Sequence, residues 1–106
     1  MDHLKKLFGE NNTPSIPVKE LKDRSTKFIL DVREPDEIAT GKIPGAYTIP
    51  LGDLSAREEE LPKDETIYII CRSGNRSQKA CAYLNGRGYD CINVAGGMLA
   101  YDGPVE

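Results

Sequence analysis

Cys71 stands where an apolar run stops and a loop of glycine, polar and basic residues begins, in the segment I-Y-I-I-C-R-S-G-N-R-S from Ile67 to Ser77. A free thiol with a pKa near about 8.5 is only a few per cent thiolate at neutral pH, so a cysteine that acts as a nucleophile needs groups that favour its anion. Three such groups are within reach along the chain: the guanidinium groups of Arg72 and Arg76, and a helix N-terminus. The helix is expected because Ser77 to Arg87 is rich in helix formers and has no proline. An anion at that terminus gains roughly 0.3–1 kcal/mol from the dipole alone. Gly74 lets the backbone curl so that successive N–H groups point inward as an anion nest. The chemistry is that of an activated cysteine thiolate. The alternative, a buried structural cysteine before an ordinary turn, gives no reason for two arginines within five residues of it.

The elements that must position this loop follow from pattern. Ile67, Tyr68, Ile69 and Ile70 form a short β-branched run that predicts a buried strand, with Cys71 at its carboxyl end. Phe28 to Val32 predicts a second buried strand, Ala46 to Ile49 a third and Asp90 to Val94 a last one, while Pro14 to Pro17 is an extended lead-in. Between them, Val18 to Arg24 reads as a short helix with Val18, Leu21 and Lys22 on its inner face. Glu34 to Thr40 reads as an acidic helix with Pro35 in its first turn and Gly41 past its end. Asp53 to Leu61 reads as a helix with Asp53 as N-cap, its three glutamates forming a solvated face, stopped by Pro62. Gly86 and Gly88 end the helix after the cysteine loop, and Gly96-Gly97 opens a helical turn over Met98 to Tyr101. Strands alternating with helices imply an α/β fold, a parallel sheet with helices on both faces and a ligand site at the carboxyl ends of the strands.

At 106 residues the chain predicts one domain, divided as an N-terminal extension over 1–13 and the domain proper over 14–106. Net charge is −3 with both signs interspersed, which offers no basic face to nucleic acid and no membrane surface. The first residues are too short an apolar stretch for a secretory leader and no segment reaches membrane-spanning length, so the cytoplasm is the default expectation. Cys71, Cys81 and Cys91 are odd in number and widely spaced, which suits reduced thiols, with Cys81 and Cys91 as small core residues. With His3 the only histidine, neither a metal nor another cofactor is expected. Leu4, Leu7 and Phe8 lie at helical spacing, so the extension either packs on the domain or frays, and it is the first place to look for an oligomeric contact.

Four blocks in order carry a resemblance: L-D-V-R-E at Leu30 to Glu34, K-I-P-G-A at Lys42 to Ala46, C-R-S-G-N-R-S at Cys71 to Ser77, and N-V-A-G-G at Asn93 to Gly97. Over about Ser15 to Glu106 the chain resembles a single-domain rhodanese, a sulfurtransferase. The resemblance implies the rhodanese fold, a central parallel sheet of about five strands flanked by helices on both faces. It also implies that the Cys71 thiolate takes the outer sulfur of a donor such as thiosulfate, becomes a persulfide, and passes that sulfur to cyanide or a thiol acceptor. The backbone of Arg72, Ser73, Gly74, Asn75 and Arg76 would hold the persulfide, with the Ser73 and Ser77 hydroxyls adding hydrogen bonds. Relatives that prefer mercaptopyruvate typically have glycine after the cysteine, so Arg72 leans toward thiosulfate or another charged donor. A cysteine desulfurase or a small persulfide would serve equally as donor, and glutathione, a thioredoxin-like protein or a biosynthetic enzyme as acceptor.

Asp31 and Arg33 are expected either to form a scaffold for the loop or to touch substrate, and Pro44-Gly45 to make a turn. The family usually has histidine at the position of Lys42 and often tryptophan after the double glycine, where Met98 and Tyr101 stand. A charged lysine cannot accept a hydrogen bond, so any structural bond made by that histidine is open. Two rivals come from other classes. A cysteine-dependent phosphatase or arsenate reductase of related fold resembles C-x5-R, whereas Arg76 follows Cys71 with four residues between, a tighter cradle. A non-catalytic rhodanese-like binding module commonly lacks the cysteine that is present here.

Overall fold

The computed structural model describes residues 13–106; the extension with His3, Leu4, Leu7 and Phe8 lies outside the described residues. Five strands form one sheet: β1 (Ser15–Pro17), β2 (Phe28–Asp31), β3 (Tyr47–Thr48), β4 (Thr66–Ile70) and β5 (Asp90–Ala95). Their order is β1-β5-β4-β2-β3 and every pairing is parallel. The helices are α1 (Pro35–Ile38), α2 (Leu54–Arg57), α3 (Asn75–Asn85) and α4 (Gly97–Ala100).

Alternation along β4 assigns each side chain to a face. Ile67, Ile69 and Cys71 join the cluster formed with Leu30, Leu54, Ala80 and Leu84, under α2 and α3. Ile70, on the opposite face, packs with Val18, Leu21, Ile29, Ile43 and Val94. Because Cys71 continues the 67, 69 series, its side chain emerges on the α3 side of the sheet. β4 sits between β5 and β2, in register with Asp90–Asn93 and Phe28–Asp31, so the cysteine leaves the sheet at a central position.

Several local expectations are corrected. The lead-in before Val18 is a strand, because Ser15, Ile16 and Pro17 pair with β5. Val18 to Arg24 is not one helix: 3₁₀ turns cover Val18–Glu20 and Arg24–Thr26, and Lys22 is exposed, its apolar neighbours Val18 and Leu21 supplying the burial. The Asp53 to Leu61 helix breaks into 3₁₀, α and 3₁₀ turns, and the Asp53 side chain caps nothing. Its glutamates are not uniformly solvated: Glu58 is buried, accepting from Tyr83 Oη at 2.6 Å and Arg87 Nε at 2.6 Å. α3 starts at Asn75, two residues before the expected position, since Gly74 takes a positive φ of 109° and turns the chain directly into the helix.

Candidate active site

The loop between β4 and α3 contains only Cys71, Arg72, Ser73 and Gly74, so Asn75, Arg76 and Ser77 form the first turn of α3. Early helix N–H groups have no partner inside the helix. The Ser77 N–H points back to Cys71 Sγ at 3.3 Å, and the Gly74 N–H donates to the same sulfur at 3.1 Å. The thiol donates to Ser77 Oγ at 3.3 Å, and that hydroxyl donates to Asn93 Oδ1 at 2.5 Å. Cys71 is 1% exposed and Ser77 fully buried. Burial raises the Cys71 pKa, but the Ser77 hydroxyl and the N–H groups of Ser77, Gly74 and Ser73 outweigh it, leaving the thiol below its ordinary value of 9.0. Among the described residues Cys81 and Cys91 have no such ring of donors, Cys81 receiving the Asn85 amide at 3.5 Å, and burial pushes each up to about 12.

The arginines divide. Arg72 is exposed and, among the described residues, forms no ion pair. It borders a cleft of about 390 Å³ shared with Arg33, Glu37, Met98 and Leu99. Arg76, expected beside the sulfur, instead forms a two-pronged bond with Glu37, at 2.7 and 2.8 Å. The planar guanidinium fork matches a carboxylate better than a single sulfur. Arg76 holds the Glu37 carboxyl down at about 2, aided by the Glu34 N–H that donates to it at 2.9 Å. Glu37 therefore ties the start of α1 to the start of α3.

Asp31 and Arg33 are both buried and bond to each other, Arg33 Nη2 meeting Asp31 Oδ2 at 2.8 Å. Arg33 also donates to the carbonyls of Glu37 at 3.3 Å and Gly41 at 2.9 Å. These bonds brace α1 and the turn after it. Lys42 donates to the Ala46 carbonyl at 3.1 Å and bonds Glu106, so a donor-only side chain serves at this position.

Two contributors to the site are not apparent from the loop itself. Asn93 reaches Ser77 from β5, in the block already noted for its double glycine. Gly97 makes the second wall: the Met98 and Leu99 N–H groups donate to the Cys71 and Arg72 carbonyls at 2.8 and 3.0 Å. A Cβ on Gly97 would stand 2.4 Å from the Cys71 carbonyl oxygen. The glycine pair had signalled a helical turn, and the reason for it is this backbone contact.

The sheet order and the buried, donor-ringed cysteine at a strand's carboxyl end define a parallel α/β domain whose loop directs N–H groups at a cysteine sulfur. Residues 17–103 match the rhodanese-like domain, and the chain belongs to the rhodanese-like domain family. A sulfurtransferase of Allochromatium vinosum is 43% identical over 84 residues, which cover 78% of this chain and 78% of that protein. The thiosulfate sulfurtransferase GlpE of Pseudoalteromonas translucida is 32% identical over 78% of this chain and 80% of its own length. The crystal structure of a rhodanese-like domain protein from Staphylococcus aureus superposes with a TM-score of 0.82 at 39% identity, covering 88% of this chain and 96% of that one. Among the described residues no group of three potential ligands gathers for a metal, and no helix is long and apolar enough to cross a membrane.

Proposed function

We propose that this protein is a sulfurtransferase that carries sulfane sulfur on Cys71. In the first half-reaction the thiolate attacks the outer sulfur of thiosulfate, or of a comparable anionic donor; the donor S–S bond breaks and sulfite leaves with its electron pair. In the second, cyanide or a thiolate takes the outer sulfur of the persulfide and Cys71 returns as a thiolate. Splitting the transfer in two is covalent catalysis of the ping-pong kind. The observation that carries this reading is the pair of N–H groups from Gly74 and Ser77 converging on Cys71 Sγ at 3.1 and 3.3 Å. They favour an anion without any general base, as both the thiolate and the persulfide require.

Arg72 supplies the other half of the reading. An exposed guanidinium that forms no ion pair among the described residues, at the cleft beside the loop, suits an incoming dianion. Arg76, Asp31 and Arg33 act as scaffold, since their charges are already matched by Glu37 and by one another. The test is intact mass before and after thiosulfate, with and without cyanide, on native protein and on Cys71→Ser. The expected outcome is one added sulfur atom on the native chain only, removed by cyanide. Absence of the added sulfur, with Cys71 shown to be alkylatable, would overturn thiosulfate transfer.

A further inference from the structure

We infer that Asn93 is a positioning residue for the Cys71 sulfur, its buried side-chain amide deciding whether the Ser77 hydroxyl donates away from Cys71 or toward it. The inference deepens the sulfur-carrying reading of Cys71, yet its test reads a thiol ionisation and stands apart from the identity of any donor.

A serine hydroxyl has one proton to give. In the thiol form that proton goes to Asn93 Oδ1 at 2.5 Å, leaving Ser77 Oγ to accept the Cys71 S–H at 3.3 Å. All three groups are at least nine-tenths buried: Cys71 is 1% exposed, Ser77 0% and Asn93 5%. Ionisation of Cys71 removes the S–H donor and makes the sulfur a strong acceptor. The Ser77 hydroxyl is then worth most when it turns to the sulfur, which deprives Asn93 Oδ1 of its donor.

The other end of Asn93 resolves this conflict. Asn93 Nδ2 donates to Ser15 Oγ at 3.4 Å, across the β5–β1 pair. Ser15 is exposed, beside a cleft that Ser73, Gly74, Asn75 and Asn93 also line. A hydroxyl accepts or donates equally well, so a half-turn of the amide keeps every group paired. Nδ2 then donates to Ser77 Oγ, Ser77 donates to the thiolate, and Ser15 donates to Oδ1. A side chain able only to accept or only to donate could not serve both states. The sheet holds the Asn93 backbone in place while the side-chain amide turns, because the backbone N–H donates to the Pro14 carbonyl at 2.8 Å.

Charged groups do not substitute for this device. From α3, Arg76 feels the sulfur's charge but is engaged by Glu37. From β2, Asp31 and Arg33 close on each other, and Arg72 faces the solvent. β5 contributes the neutral amide of Asn93 at this point, and α4 contributes the Met98 and Leu99 backbone.

The measurement is the pH dependence of Cys71 alkylation by iodoacetamide, followed by mass, in the native protein, Asn93→Leu, Ser77→Ala and the double variant. Leucine removes the acceptor that Asn93 Oδ1 offers and leaves the sulfur, at 3.3 Å, as the partner already beside the Ser77 hydroxyl. We expect the Cys71 pKa to fall by about one unit in Asn93→Leu, a roughly tenfold faster reaction below the pKa. Ser77→Ala should cancel that fall. Should the leucine variant not fold, Asn93→Asp fixes an acceptor on Ser77, and the pKa should rise by more than it does in the Ser77→Ala background. An unchanged pKa, or equal shifts with and without Ser77, would overturn the inference. Either result leaves open whether Cys71 gains sulfur from thiosulfate, which the mass of the thiosulfate-treated protein decides separately.

Discussion

Three cysteines of one chain differ in chemistry because their surroundings differ, not their covalent structure. Cys81 and Cys91 are fully buried among apolar side chains, and burial raises their pKa to about 12. Cys71 is buried almost as deeply, yet hydroxyl and backbone donors reverse the shift. A small alkylating reagent at pH 8 should therefore modify one thiol in the folded protein, at Cys71, and all three after urea unfolding; peptide mapping reads both. Labelling of Cys81 or Cys91 at a comparable rate in the folded state would contradict the environments described. The Cys71 side of this contrast was legible in the sequence because strand end, Gly74 and helix start are contiguous. The partner of Arg76 was not. Glu37 lies 39 residues away, and no local pattern indicates that a guanidinium near a cysteine will prefer a carboxylate from another segment. Asn93 was hidden for a similar reason, since its link to Ser77 spans 16 residues and two elements.

Elements were legible where hydrophobic periodicity was long or simple, as in β2, β4 and β5. They were misread where burial depends on tertiary partners. The run of glutamates after Leu54 looked like one solvated helix face, but Tyr83 and Arg87 of the chain beyond β4 draw Glu58 inward and the helix gives way to a 3₁₀ turn. α4 illustrates the converse, an element of only four residues whose placement matters more than its length. Its Gly97 has φ of +55°, and a Cβ there would meet the Cys71 and Arg72 carbonyl oxygens at 2.4 and 2.5 Å. Both conditions penalise any side chain, one through the backbone and one through contact. Gly97→Ala should lower stability by roughly 3 kcal/mol or more and reduce sulfur loading on the remaining folded fraction, because the loop backbone must move to make room. Urea titration gives the first quantity and intact mass after thiosulfate the second. A variant with native stability and loading would show that the α4–loop contact is dispensable.

At the scale of the molecule, a parallel sheet leaves successive segments far apart in sequence, and carboxylates join several of them. Glu37 bonds α1 to α3, Glu58 bonds the turn after α2 to Tyr83 and Arg87, and Glu106 joins the chain end to Lys42 and Gly45. All three have pKa values held below the ordinary 4.5, by the hydrogen bonds of Arg76, Arg87 and Lys42 in turn. A carboxylate whose folded pKa is lowered binds its proton more readily in the unfolded chain, so its stabilising contribution is complete above 4.5 and declines as pH falls toward the folded value. For Glu37 that decline extends to about pH 2. The urea midpoint should thus be nearly level between pH 7 and 5 and fall steadily below 4.5, with no change in the slope that reports exposed surface. Glu37→Gln should lower the midpoint at neutral pH and make the acid fall shallower, since its neutral amide holds Arg76 more weakly and no longer titrates. A glutamine variant with the native pH profile would mean that the α1–α3 bridge contributes nothing to stability. The thiol of Cys71 should then stay below its ordinary pKa without the bridge, in a loop fixed by α4 and β5 alone.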